Sequence, residues 1–129
     1  MKTEVKFYIC RHCGNVAFKV CDQGTPLSCC GEEMQEMVPR TADAGLEKHV
    51  PVLSRTEPDI LRVHVGATEH PMLAEHSIQF ICLETDRGFR VAYLSPGEKP
   101  QADFCIKGCT PVAVYEYCNI HGLWKQTAK

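Results

Sequence analysis

The chain has no surplus of positive charge. Its 129 residues carry 14 Lys and Arg against 16 Asp and Glu, a formal net charge of -2. Proteins that hold nucleic acid do so through clustered cations on phosphate, so that role is disfavoured. No apolar run reaches the length needed to span a membrane. The start, Met1 to Lys6, is charged and has no apolar core of a secretory signal, so a cytoplasmic location is expected. There is no repeat, no low-complexity stretch and no glycine-rich nucleotide fingerprint, so the chain is not expected to bind NAD(P)H itself. Convincing helical periodicity is missing too; only His70 to His76 is short and compact enough for a single turn.

Cysteine is abundant instead: there are nine. In a reducing compartment, cysteines at this density serve as metal ligands more often than as disulfides. Cys10 and Cys13 enclose two residues, and the adjacent pair Cys29 and Cys30 follows. Four thiolates make a closed tetrahedral site for iron or zinc, and the spacing alone does not choose between a structural zinc and a redox iron. Adjacent ligands must point the same way although they are neighbours, which distorts the angles. His12, inside the first knuckle, is expected to face solvent, because the thiolates fill the site.

A second constellation is spread along the remaining chain: His49, His70, His76, then Cys118 and His121 with two residues between them. Four imidazoles and one thiolate are one ligand short of an octahedron. Such a set suits Fe(II) better than magnesium or calcium, which prefer oxygen. Any one of these histidines alone reads as a surface residue. His64 illustrates this, sharing a strand face with Arg62 opposite Leu61, Val63 and Val65. A closed site followed by an open one points to a small redox enzyme. Cys21, Cys82, Cys105 and Cys109 are left over, and each is expected to be a buried apolar thiol.

The organisation follows from the same reading. Residues 1–37 hold short extended segments, with Val16, Phe18 and Val20 on one face. They have too few apolar side chains for a core without metal. Residues 38–45 read as a linker. Residues 46–129 read as strands at 50–53, 60–65, 77–83, 89–94, 104–106 and 112–117, separated by Pro, Gly and Asp turns. That spacing predicts an all-β antiparallel sandwich.

The cysteine unit, then Glu47-Lys48-His49-Val50-Pro51, His70-Pro71-Met72 and Glu116-Tyr117-Cys118-Asn119-Ile120-His121-Gly122, resembles the desulfoferrodoxins, the two-iron class of superoxide reductase. The resemblance covers essentially the whole chain. It implies a desulforedoxin-like iron domain followed by an immunoglobulin-like catalytic sandwich. It assigns Cys10, Cys13, Cys29 and Cys30 to one iron. The second iron takes His49, His70, His76 and His121 as equatorial ligands and Cys118 as the axial one. The leftover cysteines fall outside that pattern.

The implied activity is one-electron reduction of superoxide to hydrogen peroxide at an iron with an open sixth position. The axial thiolate donates charge to the iron. Lys48 attracts the anion and orients the water that protonates the product. Glu47 is the residue that takes the sixth position of oxidised iron. A rubredoxin-like protein or an NAD(P)H-dependent reductase is the expected electron donor, and the small first unit makes a homodimer expected. An electron carrier without a superoxide substrate is the main rival, and a zinc-binding interaction module the other.

Overall fold

The computed structural model describes residues 5–41, 49–66 and 70–128. The chain divides into two compact units, Met1–Val38 and Pro39–Lys129. Among the described residues there is no helix. Part of the expected linker, residues 42–45, lies outside the described residues, as do Glu47 and Lys48.

The first unit contains β1 (Phe7–Ile9), β2 (Val16–Phe18), β3 (Ser28–Cys29), β4 (Glu32–Glu33) and β5 (Gln35–Met37). Strands β2, β1 and β5 form one antiparallel sheet, and β3 and β4 form a separate hairpin. Among the described residues, Phe7, Ile9, Cys10 and Met37 are buried and apolar here, with Phe18 tilted against Phe7 at 5.7 Å between centroids. The alternation expected to carry Val20 stops at Phe18, and Val20 is 77 % exposed. The chain turns away there, braced by Lys19, whose ammonium donates to Asp22 and to the Thr25 carbonyl.

The second unit holds β6 (Pro51–Glu57), β7 (Ile60–Val65), β8 (Ile78–Thr85), β9 (Gly88–Tyr93), β10 (Gln101–Cys105), β11 (Pro111–Cys118) and β12 (Gly122–Thr127). A three-stranded sheet in the order β10-β7-β6 and a four-stranded sheet in the order β12-β11-β8-β9 make an immunoglobulin-like antiparallel sandwich. Leu61, Val63 and Val65 from β7, Phe104 from β10, Ile78, Ile81 and Leu83 from β8, and Val114 and Cys118 from β11 build one core.

A bulge shapes the end of that core. Tyr117 pairs with Phe80, but the next residue, Cys118, pairs with Ile78, so Gln79 is the extra residue. The slip shifts the side-chain phase of β8 by one, and Ile78 joins Ile81 and Leu83 on the inner face. Cys118 is fully buried at this edge of the core.

Three expectations change. Residues 70–76 hold no helical turn. Leu73 and His76 exchange backbone bonds of 2.8 and 3.2 Å, so Ala74 and Glu75 form a tight reverse turn. Gly122–Thr127 adds a strand that the sequence pattern did not announce. The leftover cysteines do not share one environment. Cys82 is buried, Cys109 is half-buried, and Cys21 and Cys105 are exposed, because they lie on a turn after β2 and at the end of β10.

Candidate metal centres

Cys10 to Asn15 form a knuckle closed by backbone bonds. Gly14 N donates to Cys10 O and Cys10 N to Asn15 O, both at 2.9 Å. Gly14 takes a φ of 84°, where an L side chain is strained. The second cysteine pair solves its neighbour problem by the same device. Cys29 ends β3, and Cys30 (φ 54°) with Gly31 (φ 78°) makes the two-residue turn into β4. Positive φ at both positions is the mark of a type I′ hairpin. Among the described residues, Cys30 is the one non-glycine in this region, at a cost of roughly 1–3 kcal/mol. That strain swings its thiol onto the side where Cys29 already points.

The four sulfurs lie within 4.8 Å of one another. Cys13 and Cys29 sulfurs are 3.6 Å apart, and those of Cys29 and Cys30 are 4.0 Å apart. The edge of a tetrahedron with metal–sulfur bonds of about 2.3 Å is about 3.8 Å, so the set fits a metal of zinc or iron size. Electrostatics agree. The Cys13 N–H, aided by that of His12, holds the Cys10 thiol down at about 6. Crowding by Cys10, Cys13 and Cys29 pushes Cys30 up to about 12. One sulfur is thus ready to ionise while its neighbours resist, a conflict that a bound cation removes. Asn15 Nδ2 donates to the Cys29 sulfur at 3.5 Å. His12 is solvent-facing and 3.1 Å from Glu32.

In the second unit, ligand atoms of His49, His70, His76, Cys118 and His121 also lie within 4.8 Å of one another. Four ring contacts close a circle: His49–His70 at 4.8 Å, His70–His76 at 4.8 Å, His76–His121 at 5.0 Å and His121–His49 at 4.5 Å. His49 Nε2 is 2.9 Å from His121 Nδ1. Two nitrogens at right angles about one metal, with bonds of about 2.1 Å, are separated by about 3 Å.

His70 gives the sharpest test of fit. Its Nδ1 is 2.7 Å from the Pro71 carbonyl, so Nδ1 carries the proton. Its Nε2 is buried and has no protein partner. Burial lowers the imidazole to about 4, although the Pro71 carbonyl opposes the shift. The result is a neutral ring with a bare lone pair directed by a backbone carbonyl, as metal-bound histidines have. Cys118 completes the set from the core. Burial pushes its thiol up, and the His121 and Ile120 N–H groups oppose that shift. His64, by contrast, stays outside, its Nδ1 3.1 Å from the Gly66 carbonyl. Arg62 forms a forked pair with Asp103 at 2.8 and 3.0 Å.

Three contributors were not singled out from sequence. Asn119 ties the two ligand-bearing loops together. Its Oδ1 accepts from Ser77 N at 2.9 Å, and its Nδ2 donates to Glu75 O at 3.0 Å. Its place between Cys118 and His121 was the available signal. Glu116 is fully buried two residues before Cys118 and adds to the upward push on that thiol. Trp124 stacks on His49 at 4.7 Å and 14°.

The family described as Desulfoferrodoxin matches residues 41–127. The desulfoferrodoxin of Nitratidesulfovibrio vulgaris is 43% identical over 128 residues, covering 99% of this chain and 100% of that one. The desulfoferrodoxin of Syntrophotalea carbinolica is 42% identical over 125 residues, covering 96% of this chain and 97% of its own. The crystal structure of the superoxide reductase from Treponema pallidum superposes with a TM-score of 0.83 at 27% identity, covering 96% of this chain and 98% of that one.

Proposed function

We propose a function from one premise: this chain belongs to the desulfoferrodoxin family. It is a superoxide reductase, which adds one electron and two protons to superoxide and releases hydrogen peroxide. The likeness to the Treponema pallidum superoxide reductase supports the choice of substrate. The observation that carries the reading is the closed circle of four imidazoles beside the buried Cys118.

In this reading His49, His70, His76, Cys118 and His121 would together hold an iron, and superoxide would be reduced there. When bound, that iron supplies the single electron that superoxide takes up. The chain's own groups do the rest. Cys118 would offer its thiolate to the metal from a buried position, steadied by the His121 and Ile120 N–H groups. The Pro71 carbonyl holds His70 in one tautomer. Lys48 draws in the anion and orients the water that protonates it. Glu47 would offer its carboxylate to the oxidised metal. Cys10, Cys13, Cys29 and Cys30 hold a second iron. Residues 1–37 are its domain, 38–45 the linker and 46–129 the catalytic domain. A rubredoxin-like protein or an NAD(P)H-dependent reductase restores the electron. The working form is a cytoplasmic homodimer.

Pulse radiolysis of the reduced, iron-loaded protein tests this. Each chain is expected to consume superoxide rapidly and yield hydrogen peroxide without releasing dioxygen. Lys48→Ala should slow the bimolecular step by roughly tenfold or more and flatten its fall with salt. Slow or absent consumption by fully loaded protein would return the chain to the electron-carrier reading.

A further inference from the structure

We infer that Trp124 and Arg40 are positioning residues of the histidine-rich centre: Trp124 sets the plane of the His49 ring, and Arg40 tunes the charge felt through that stack. This rests on the reading that the five clustered ligands hold a metal.

An imidazole nitrogen offers its lone pair in the plane of its ring. Whatever fixes the ring plane therefore fixes the direction in which the ligand is offered. His49 lies outside regular structure, two residues before β6, so no strand orients it. Its ring lies nearly parallel to the Trp124 indole, at 14° and 4.7 Å. In that orientation Nε2 comes within 2.9 Å of His121 Nδ1, inside the ligand cluster.

Trp124 is a rigid platform. It is 3 % exposed and pairs with Glu116 across β11 and β12. The backbone of Arg40 clasps the strand on both sides of it. Arg40 N donates to Leu123 O at 2.9 Å, and Lys125 N donates to Arg40 O at 2.8 Å. The Arg40 guanidinium lies over the indole at 5.3 Å. Residues 40 and 49 are thus both seated on one side chain.

The choice of tryptophan is not explained by filling space. Its Nε1 is buried without a protein acceptor. A buried donor left unmade costs roughly 1–3 kcal/mol, which phenylalanine or leucine would avoid. A broad π face that holds an imidazole on its plane and a cation above it offsets that cost. The exposed guanidinium adds positive potential beside the centre, which favours the reduced metal.

Trp124 is the chain's one tryptophan, so intrinsic fluorescence reports the stack directly. Anaerobic titration of the full chain with Fe(II) should quench it as the histidine-rich centre fills. Trp124→Leu should weaken iron binding there by about tenfold, as loss of a residue supporting a ligand does, and Trp124→Phe by less. The four-cysteine centre of the same chain is the internal control and should be unchanged. Arg40→Gln, at an exposed position, should lower the midpoint potential of the histidine-rich centre and shift the Cys118-to-iron absorption, with the melting temperature unmoved. A purely structural Arg40 would leave both signals in place. If Trp124→Leu fails to fold, Trp124→Phe and Arg40→Gln decide. Wild-type affinity, absorption and potential in the folded variants would overturn the inference while leaving the proposed function intact. A wild-type chain whose fluorescence ignores Fe(II), and whose five-ligand site stays empty by metal analysis, would remove the ligand reading and this inference with it.

Discussion

Cys82 and Cys105 are the same chemical group in opposite settings. Cys82 is fully buried on β8, and burial, with a further push from Glu84, raises its thiol to about 12. Cys105 is exposed at the end of β10. Iodoacetamide at pH 8 should therefore label Cys105 and Cys21 in the folded, metal-loaded protein and reach Cys82 only after unfolding. The shift also has a consequence for stability. The folded chain keeps the Cys82 proton to a higher pH than the unfolded chain, whose thiol ionises near its ordinary value of 9.0. The contribution is fully present below pH 9.0 and is lost as the pH rises toward about 12. Urea unfolding of the wild type against Cys82→Ala should show the wild type losing the larger share of its stability across that window. Parallel curves for the two chains would mean that the thiol does not titrate with folding.

At the level of elements, four of the five members of the histidine-rich centre come from two segments that meet at Asn119, and His49 comes from a third. The 70–76 segment brings His70 and His76, the end of β11 brings Cys118, and the turn after it brings His121. Asn119 bonds Ser77 and Glu75 across that junction. Asn119→Leu removes both bonds at similar size. It should cost about 1–2 kcal/mol in unfolding free energy and lower the metal affinity of the histidine centre by about tenfold or more. Equal affinity in a less stable variant would limit Asn119 to a structural role.

The strands show what a sequence pattern can and cannot reveal. β7 was legible to the residue, because Leu61, Val63 and Val65 alternate between Arg62 and His64. The sequence pattern predicts a strand over 50–53, but β6 runs to Glu57. Its far half is polar and exposed, and its pairing with β7 is made by backbone groups that leave no side-chain trace. β12 escaped notice for a similar reason, since Leu123 and Trp124 are both buried and the strand does not alternate. The bulge at Gln79 is likewise a register event, invisible without the partner strand. The two ligand sets differ in the same way. Four cysteines within 21 residues announce a cluster by spacing. Histidines scattered from 49 to 121 converge only through sheet topology: counting ligand types groups them as a constellation, but the role of each one comes from the family resemblance.

Over the whole molecule, the two units differ in what holds them together. The sandwich has a core shared between two sheets. Among its described residues, the first unit has four that are buried and apolar, one of them Cys10, a member of the four-sulfur cluster. A unit that buries so little needs its metal to fold. Cys13→Ser should therefore lose the metal of the four-sulfur cluster and expose residues 5–38 to fast backbone hydrogen exchange. The sandwich should keep its protection, and the superoxide step should largely survive, since none of the five clustered His and Cys side chains of the second unit is touched. Cys118→Ser should do the reverse, keeping the four-sulfur absorption and abolishing rapid reduction. Selective removal of the first metal by a chelator should repeat the Cys13→Ser pattern in the wild-type chain. A Cys13→Ser protein that still carries the second iron yet no longer consumes superoxide would make the first centre a necessary partner in the reaction. The division of labour between the units would then be wrong, however independently each one folds.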